Sequence, residues 1–282
     1  MPKRFILNAE NFGQSKESNR AMLEGYNNGF LTSAGICVNG NSFESAVNEI
    51  LPECPNLSIG IMLNLTRGMA LTKNEHLTNS KNRFKFGFLR LLTKCGDRDF
   101  MLEVEKEFRC QIEILLQHTK IDYINSVNNI HLIPPIFDLV LNLAKEYNIP
   151  FVSTKYEEGY YVANILKHLN FKYPKNILKT FLLNGLTKRN LQKLEGKNIK
   201  TNRYFVGGIY SSMINSEVIK SGLEAIEDEG DFIVEIGISP CVYKKFKRKK
   251  SFEEFMITIN KELLDSIERM GYEAVNYKKL RV

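Results

Sequence analysis

Two residues in this chain pair a proton-transfer side chain with a position suited to using it. Glu10 closes the short apolar segment that runs into Asn8-Ala9-Glu10-Asn11, and His131 closes Asn125-Ser126-Val127-Asn128-Asn129-Ile130-His131. A carboxylate in a partly apolar pocket has a raised pKa and serves as a general base, and an imidazole serves as a general acid. Each has a structural alternative. Glu10 could be a loop carboxylate accepting backbone N–H groups, and His131, one residue before Leu132-Ile133-Pro134-Pro135, could be a buried, hydrogen-bonded histidine. Around them stand neutral amides, Asn11, Asn39, Asn64, Asn125, Asn128 and Asn129. These could hydrogen-bond hydroxyls or an amide, or occupy turns that require left-handed backbone. Glu235 and Ser239 complete the candidate ligand-binding set.

Several chemistries have no motif to support them. There is no GxGxxG after a strand, no GxxxxGK[ST], no HExxH and no GxSxG. The cysteines (Cys37, Cys54, Cys95, Cys110, Cys241) form no CxxC pair, so buried free thiols in a reduced, cytoplasmic setting are the simplest expectation. Cys241 has no base near it in sequence. The N-terminal residues lack the apolar core of a signal peptide, and no stretch approaches the ~20 apolar residues of a membrane span.

The elements that would position these residues follow from hydrophobic period. In a chain of 282 residues, 43% hydrophobic and 25% charged, β-branched runs at 4–8, 32–38, 57–63, 121–125, 150–154, 204–206 and 232–238 predict strands. Phe100, Val104, Phe108, Ile112 and Leu115 recur at helical spacing and predict a helix over 98–117. Residues 136–147 predict another. A further helix over 251–270 would start at Ser251 with Glu254 as its capping box, and carry Phe252, Phe255, Ile259, Leu263 and Ile267 on one face. Residues 171–200 are less regular and read as helical decoration. Alternating strands and helices argue for parallel βα units, enough of them for a barrel in a single α/β domain. Active sites in such folds lie beyond the carboxyl ends of the strands. That places residues 8–11, Val38-Asn39, Met62, Asn64, residues 125–131, Thr154-Lys155 and Ser239-Pro240 around one mouth.

The net charge of +7 is nearly matched by one run, Lys244, Lys245, Lys247, Arg248, Lys249 and Lys250. Such a run reads first as a solvated loop and second as a contact for a sugar phosphate or other anionic glycan. Nucleic acid is the weakest reading.

The motifs also form a collinear series. Asn8-Ala9-Glu10-Asn11-Phe12-Gly13, then Asn19-Arg20, then Gly29-Phe30-Leu31-Thr32-Ser33 resembles the opening of the YdjC-like (ChbG/HpnK) carbohydrate deacetylases. Gly60-Ile61-Met62-Leu63-Asn64-Leu65-Thr66, the Glu107/Gln111 pair, residues 125–134 and Glu235-Ile236-Gly237-Ile238-Ser239-Pro240 continue the resemblance over about 4–241. It implies a deformed, TIM-like (β/α) barrel that holds a divalent metal at its strand ends and hydrolyses the N-acetyl amide of an amino sugar. The implied ligand positions, however, carry Glu10, Asn11, Met62 and Val127, and the family's late histidine is Ser239. Thioether and valine cannot replace imidazole as ligands, so no metal cofactor is expected here. The expected ligand is a carbohydrate or sugar derivative, with a homo-oligomer left open. The protein is expected to be either a divergent hydrolase using Glu10 and His131 or a non-catalytic sugar-binding homologue.

Overall fold

The computed structural model describes residues 3–163, 172–243 and 249–281. His168 and, from the basic run, Lys244, Lys245, Lys247 and Arg248 lie outside the described residues. The strands are β1 (Lys3–Phe12), β2 (Ser33–Ile36), β3 (Ser58–Leu63), β4 (Tyr123–Ser126), β5 (Phe151–Val152), β6 (Tyr204–Val206), β7 (Phe232–Ile238) and β8 (Tyr272–Ala274). Every pairing between them is parallel, in the order β5-β4-β3-β2-β1-β7-β6, with β8 beside the first residues of β1. The helices between them are α1 (Lys16–Asn27), α2 (Phe88–Lys94), α3 (Arg98–Leu116), α4 (Pro134–Glu146), α5 (Tyr173–Leu191), α6 (Ser216–Glu224), α7 (Lys249–Thr258) and α8 (Lys261–Arg269).

The sheet curls without closing strand to strand, because β5 and β6 do not pair. Asn202 bridges the seam: its side chain accepts from the Thr154 N–H at 2.8 Å and donates to the Thr154 and Tyr204 carbonyls, both at 2.9 Å. The Phe205 N–H donates across the same gap to the Tyr156 carbonyl at 2.7 Å. The expected barrel is therefore a curled, deformed one.

Two apolar layers hold it. The helices lay their apolar stripes on the outside of the sheet, and the five residues whose spacing predicts α3 are all buried there. Inside, Ile6, Tyr123, Phe151 and Tyr277 fill the lower barrel, with the Tyr123 and Tyr277 rings stacked at 4.1 Å. A Cβ at Gly60 would stand 2.2 Å from the Tyr123 ring, so this plug requires glycine at that position. α3 also reaches the loop after β3. Glu107 accepts from the Leu71 and Thr72 N–H groups, and Gln111 bonds both the N–H and the carbonyl of Asn64.

Three expectations are corrected. The helix over 251–270 is two helices, because the Thr258 carbonyl accepts from the Phe30 N–H at 2.9 Å and Asn260 then caps α8 by accepting from the Leu263 N–H at 3.0 Å. Glu254 is not a capping-box residue of a helix starting at Ser251: α7 begins at Lys249, and Glu254 accepts from the Ser239 N–H instead. In addition, α5 is no decoration, since Lys179, Thr180 and Leu183 on it form one wall of a cavity beyond the strand ends.

Candidate active site

Side chains alternate along β1, so Asn8 and Glu10 both face the barrel axis. The register of β1 against β2 runs Ala9↔Ala34 and then Phe12↔Ile36. Glu10 and Asn11 thus oppose a single residue, a bulge that Asn11 accommodates with φ 70°. It bends the strand end and presents Glu10 to a cavity of about 560 Å³, a size ordinary for small-molecule sites.

Below Glu10 lies a buried polar network. The Glu235 carboxylate accepts from Asn8 Nδ2 at 3.1 Å, Lys155 Nζ at 2.7 Å, Ser153 Oγ at 2.7 Å and the Tyr277 hydroxyl. Burial alone would raise its pKa. The Lys155 ammonium and these hydrogen bonds outweigh that and hold it below the ordinary carboxylate value. Lys155 Nζ also lies 3.6 Å from Glu10 Oε1 and 3.7 Å above the centre of the Phe205 ring.

On the opposite wall Glu254 is 3% exposed and lines the cavity. Burial, with the nearby Glu10 charge adding to it, pushes its pKa up to about 7 against the opposing Ser239 N–H bond. Glu157 also lines the cavity and ties down its neighbouring loop, accepting from the N–H groups of Gly207, Gly208 and Ile209 at 2.8–2.9 Å. The rim carries Arg67, Lys172, Lys179 and Lys250, all exposed. The last residue of the basic run therefore does reach the cavity.

Of the residues expected from sequence, Glu10, Asn11, Asn129 and Ser239 meet in this cavity, together with Met62, Val127 and Asn128. Asn11, Asn128 and Asn129 have φ of 70°, 59° and 61°, so their turn role is observed whatever else they do. The other expected residues lie outside the cavity lining. His131 is fully buried: Nδ1 pairs with Ser126 Oγ, and Nε2 is 2.9 Å from the Ser153 carbonyl, to which it donates. Burial drives its pKa down to about 4, so it is neutral. With both nitrogens engaged it offers no proton to a ligand, and the structural alternative describes its placement. Asn39 and Asn64 bond each other at 3.0 Å and organise the loop through Arg67 and Met69. Asn125 is buried, and neither its amide nitrogen nor its oxygen has a partner among the described residues. Glu235 lies beneath the cavity floor, not in contact with it.

Sequence reasoning missed Glu254, whose spacing from Ser251 imitates a helix cap. It placed Lys155 at the mouth, where the cavity lining includes it, but gave it no role. Met62, Val127 and Cys37 form an apolar cluster of their own. Among the described residues no three His, Cys, Asp or Glu side chains converge as a metal-binding group.

Comparison with known proteins places these observations. A family model described as YdjC-like protein matches residues 4–269. A Clostridium beijerinckii protein named carbohydrate deacetylase is 27% identical over 98% of this chain and 100% of its own length. A protein of the same name from Brevibacillus brevis is 35% identical over 52% of this chain and 58% of its own. Among solved structures, an Enterococcus faecalis protein described provisionally as a cellobiose-phosphate cleavage protein superposes with a TM-score of 0.75 at 20% identity, over 99% of both chains. That last likeness speaks to the fold.

Proposed function

Because the chain belongs to the YdjC-like family, we propose that its strand-end cavity takes an N-acylated amino sugar or sugar-linked amide and hydrolyses the amide without a resident metal. The observation that supports this most is the pairing of two unlike carboxyl groups in one cavity. Glu10 is partly exposed beside an ammonium, and Glu254 is buried with its pKa near 7. A partly exposed carboxylate beside an ammonium can act as base while a buried carboxyl whose proton affinity is raised acts as acid.

The family's metal fits poorly here. Glu10, Asn11, Met62 and Val127 supply one carboxylate, one neutral amide, a thioether and an alkyl group. The last two are packed with Cys37 in an apolar cluster. A divalent ion needs several imidazole, carboxylate or thiolate donors at about 2.0–2.3 Å. No step is therefore assigned to a metal. Glu10 takes a proton from water as the water oxygen bonds to the acyl carbon. When the C–N bond breaks, its electron pair stays on nitrogen, which takes a proton from Glu254. The products are the amine and the carboxylic acid. Asn129 and Ser239 are assigned to sugar hydroxyls, and the rim cations to an anionic substituent of the ligand.

Glu10→Gln is expected to abolish acetate release from N-acetylated sugars. Turnover that survives the substitution would remove Glu10 as the base. The apolar Cys37–Met62–Val127 cluster favours a second reading, a sugar-binding homologue without turnover, for which the wild-type chain would bind these sugars and release nothing.

A further inference from the structure

Amide hydrolysis needs an electrophile for the acyl oxygen, and the donors in the cavity differ in their fitness for that task. Arg67, Lys172 and Lys250 are exposed, so solvent and salt screen them. Lys179, also on the rim, is desolvated enough at its ammonium that its pKa is lowered and it holds its charge less firmly. Lys155 is different: its side chain is 2% exposed, yet it lines the cavity. We propose that the Lys155 ammonium is the electrophile of this site, donating an N–H to the acyl oxygen as that oxygen becomes an oxyanion. This rests on the hydrolytic reading above.

The surroundings hold Lys155 in place for this role. An ammonium has three N–H groups. Glu235 Oε1, fixed in turn by Asn8, takes one at 2.7 Å. The Phe205 ring, 3.7 Å from Nζ, offsets the charge without supplying a lone pair. Glu10 Oε1, at 3.6 Å, is beyond hydrogen-bond length. Donor capacity therefore remains on the side of the ammonium facing the proposed base, where an amide attacked by Glu10-activated water has to lie. Gly237 contributes to the arrangement, because a Cβ there would stand 2.6 Å from the Phe205 ring and push it off the ammonium. A buried, pre-oriented donor needs no reorganisation as charge develops on the substrate. As water attacks, the carbonyl π pair moves onto oxygen and is held by the Lys155 N–H. As the C–N bond breaks, the pair returns to re-form the carbonyl. Lys155 keeps its proton throughout.

Lys155→Met alone strands the buried Glu235 carboxylate, so the informative protein is the Lys155→Met/Glu235→Gln double variant, compared with wild type by melting temperature, kcat and KM for N-acetylated sugars. If Lys155 only neutralises Glu235, the neutral pair restores both fold and turnover. If it is the electrophile, the double variant melts close to wild type while kcat falls about 100- to 1,000-fold with little change in KM. A kcat within a few-fold of wild type overturns the proposal. Should that double variant not fold, Lys155→Ala/Glu235→Gln with added ethylammonium replaces it: with no buried carboxylate left to neutralise, rescue of turnover supports the proposal, and a folded protein without rescue overturns it. Wild-type protein that releases no acetate removes the hydrolytic reading and this one together, whereas an active wild type matched by its double variant removes this one alone.

Discussion

Glu10 and Glu254 show what a residue's neighbours do that its type does not. Glu10 could be singled out from sequence because a carboxylate at a strand end is a recognisable position. Glu254 could not, since its spacing from Ser251 has a local explanation and its true partner is the backbone amide of Ser239, fifteen residues earlier. The same applies to His131, where the choice between acid and buried strut depended on Ser126 and Ser153. The pKa of Glu254 near 7 makes a stability prediction. Between the ordinary carboxyl value and about pH 7 the folded protein keeps a proton that the unfolded chain has released. Folding stability therefore drops as pH rises through that window. Glu254→Gln should remove this group's share and leave the share of Glu157, which is also raised to about 7 by burial. Denaturant unfolding at pH 5 and pH 7.5 is expected to show a smaller loss for the variant than for wild type. Equal losses would mean that Glu254 is ionised over the whole window.

At the scale of elements, the parallel βα alternation was readable because β1 to β7 fall on short apolar runs and α3 carries an unbroken helical stripe. What escaped was set by contacts distant in sequence. β8 is three residues whose pairing depends on β1, and the break between α7 and α8 follows from the Thr258 carbonyl bonding Phe30. The seam between β5 and β6 was hidden for the same reason, and it rests on the amide of Asn202, which is fully buried. Asn202→Ala strands the Thr154 N–H and two carbonyls, each costing about 1–3 kcal/mol if water does not reach them. The variant is expected to lose at least about 2 kcal/mol, a fall of several degrees in Tm for a domain of this size. A wild-type Tm would mean that the seam does not depend on this bridge.

For the whole molecule, the barrel sorts charge by depth. Glu235 lies beneath the floor and compensates Lys155 at the floor itself, the carboxyl groups of Glu10, Glu157 and Glu254 face the chamber, and cations ring its rim. The rim should favour ligands carrying an anionic group. An N-acetylated sugar phosphate is expected to bind more tightly than its neutral counterpart by calorimetry, with an advantage that shrinks as salt is added; a salt-independent difference would separate the rim from recognition. The central claim is amide hydrolysis by side chains alone, in a YdjC-like barrel whose ligand positions hold Glu10, Asn11, Met62 and Val127. It is tested most directly by elemental analysis of the purified protein coupled to acetate release from N-acetylated sugars, with and without chelator. The account predicts acetate release from protein holding no stoichiometric zinc, nickel or magnesium, unchanged by chelation. Release that requires a stoichiometric metal would contradict it and mean that other residues rebuild the metal site.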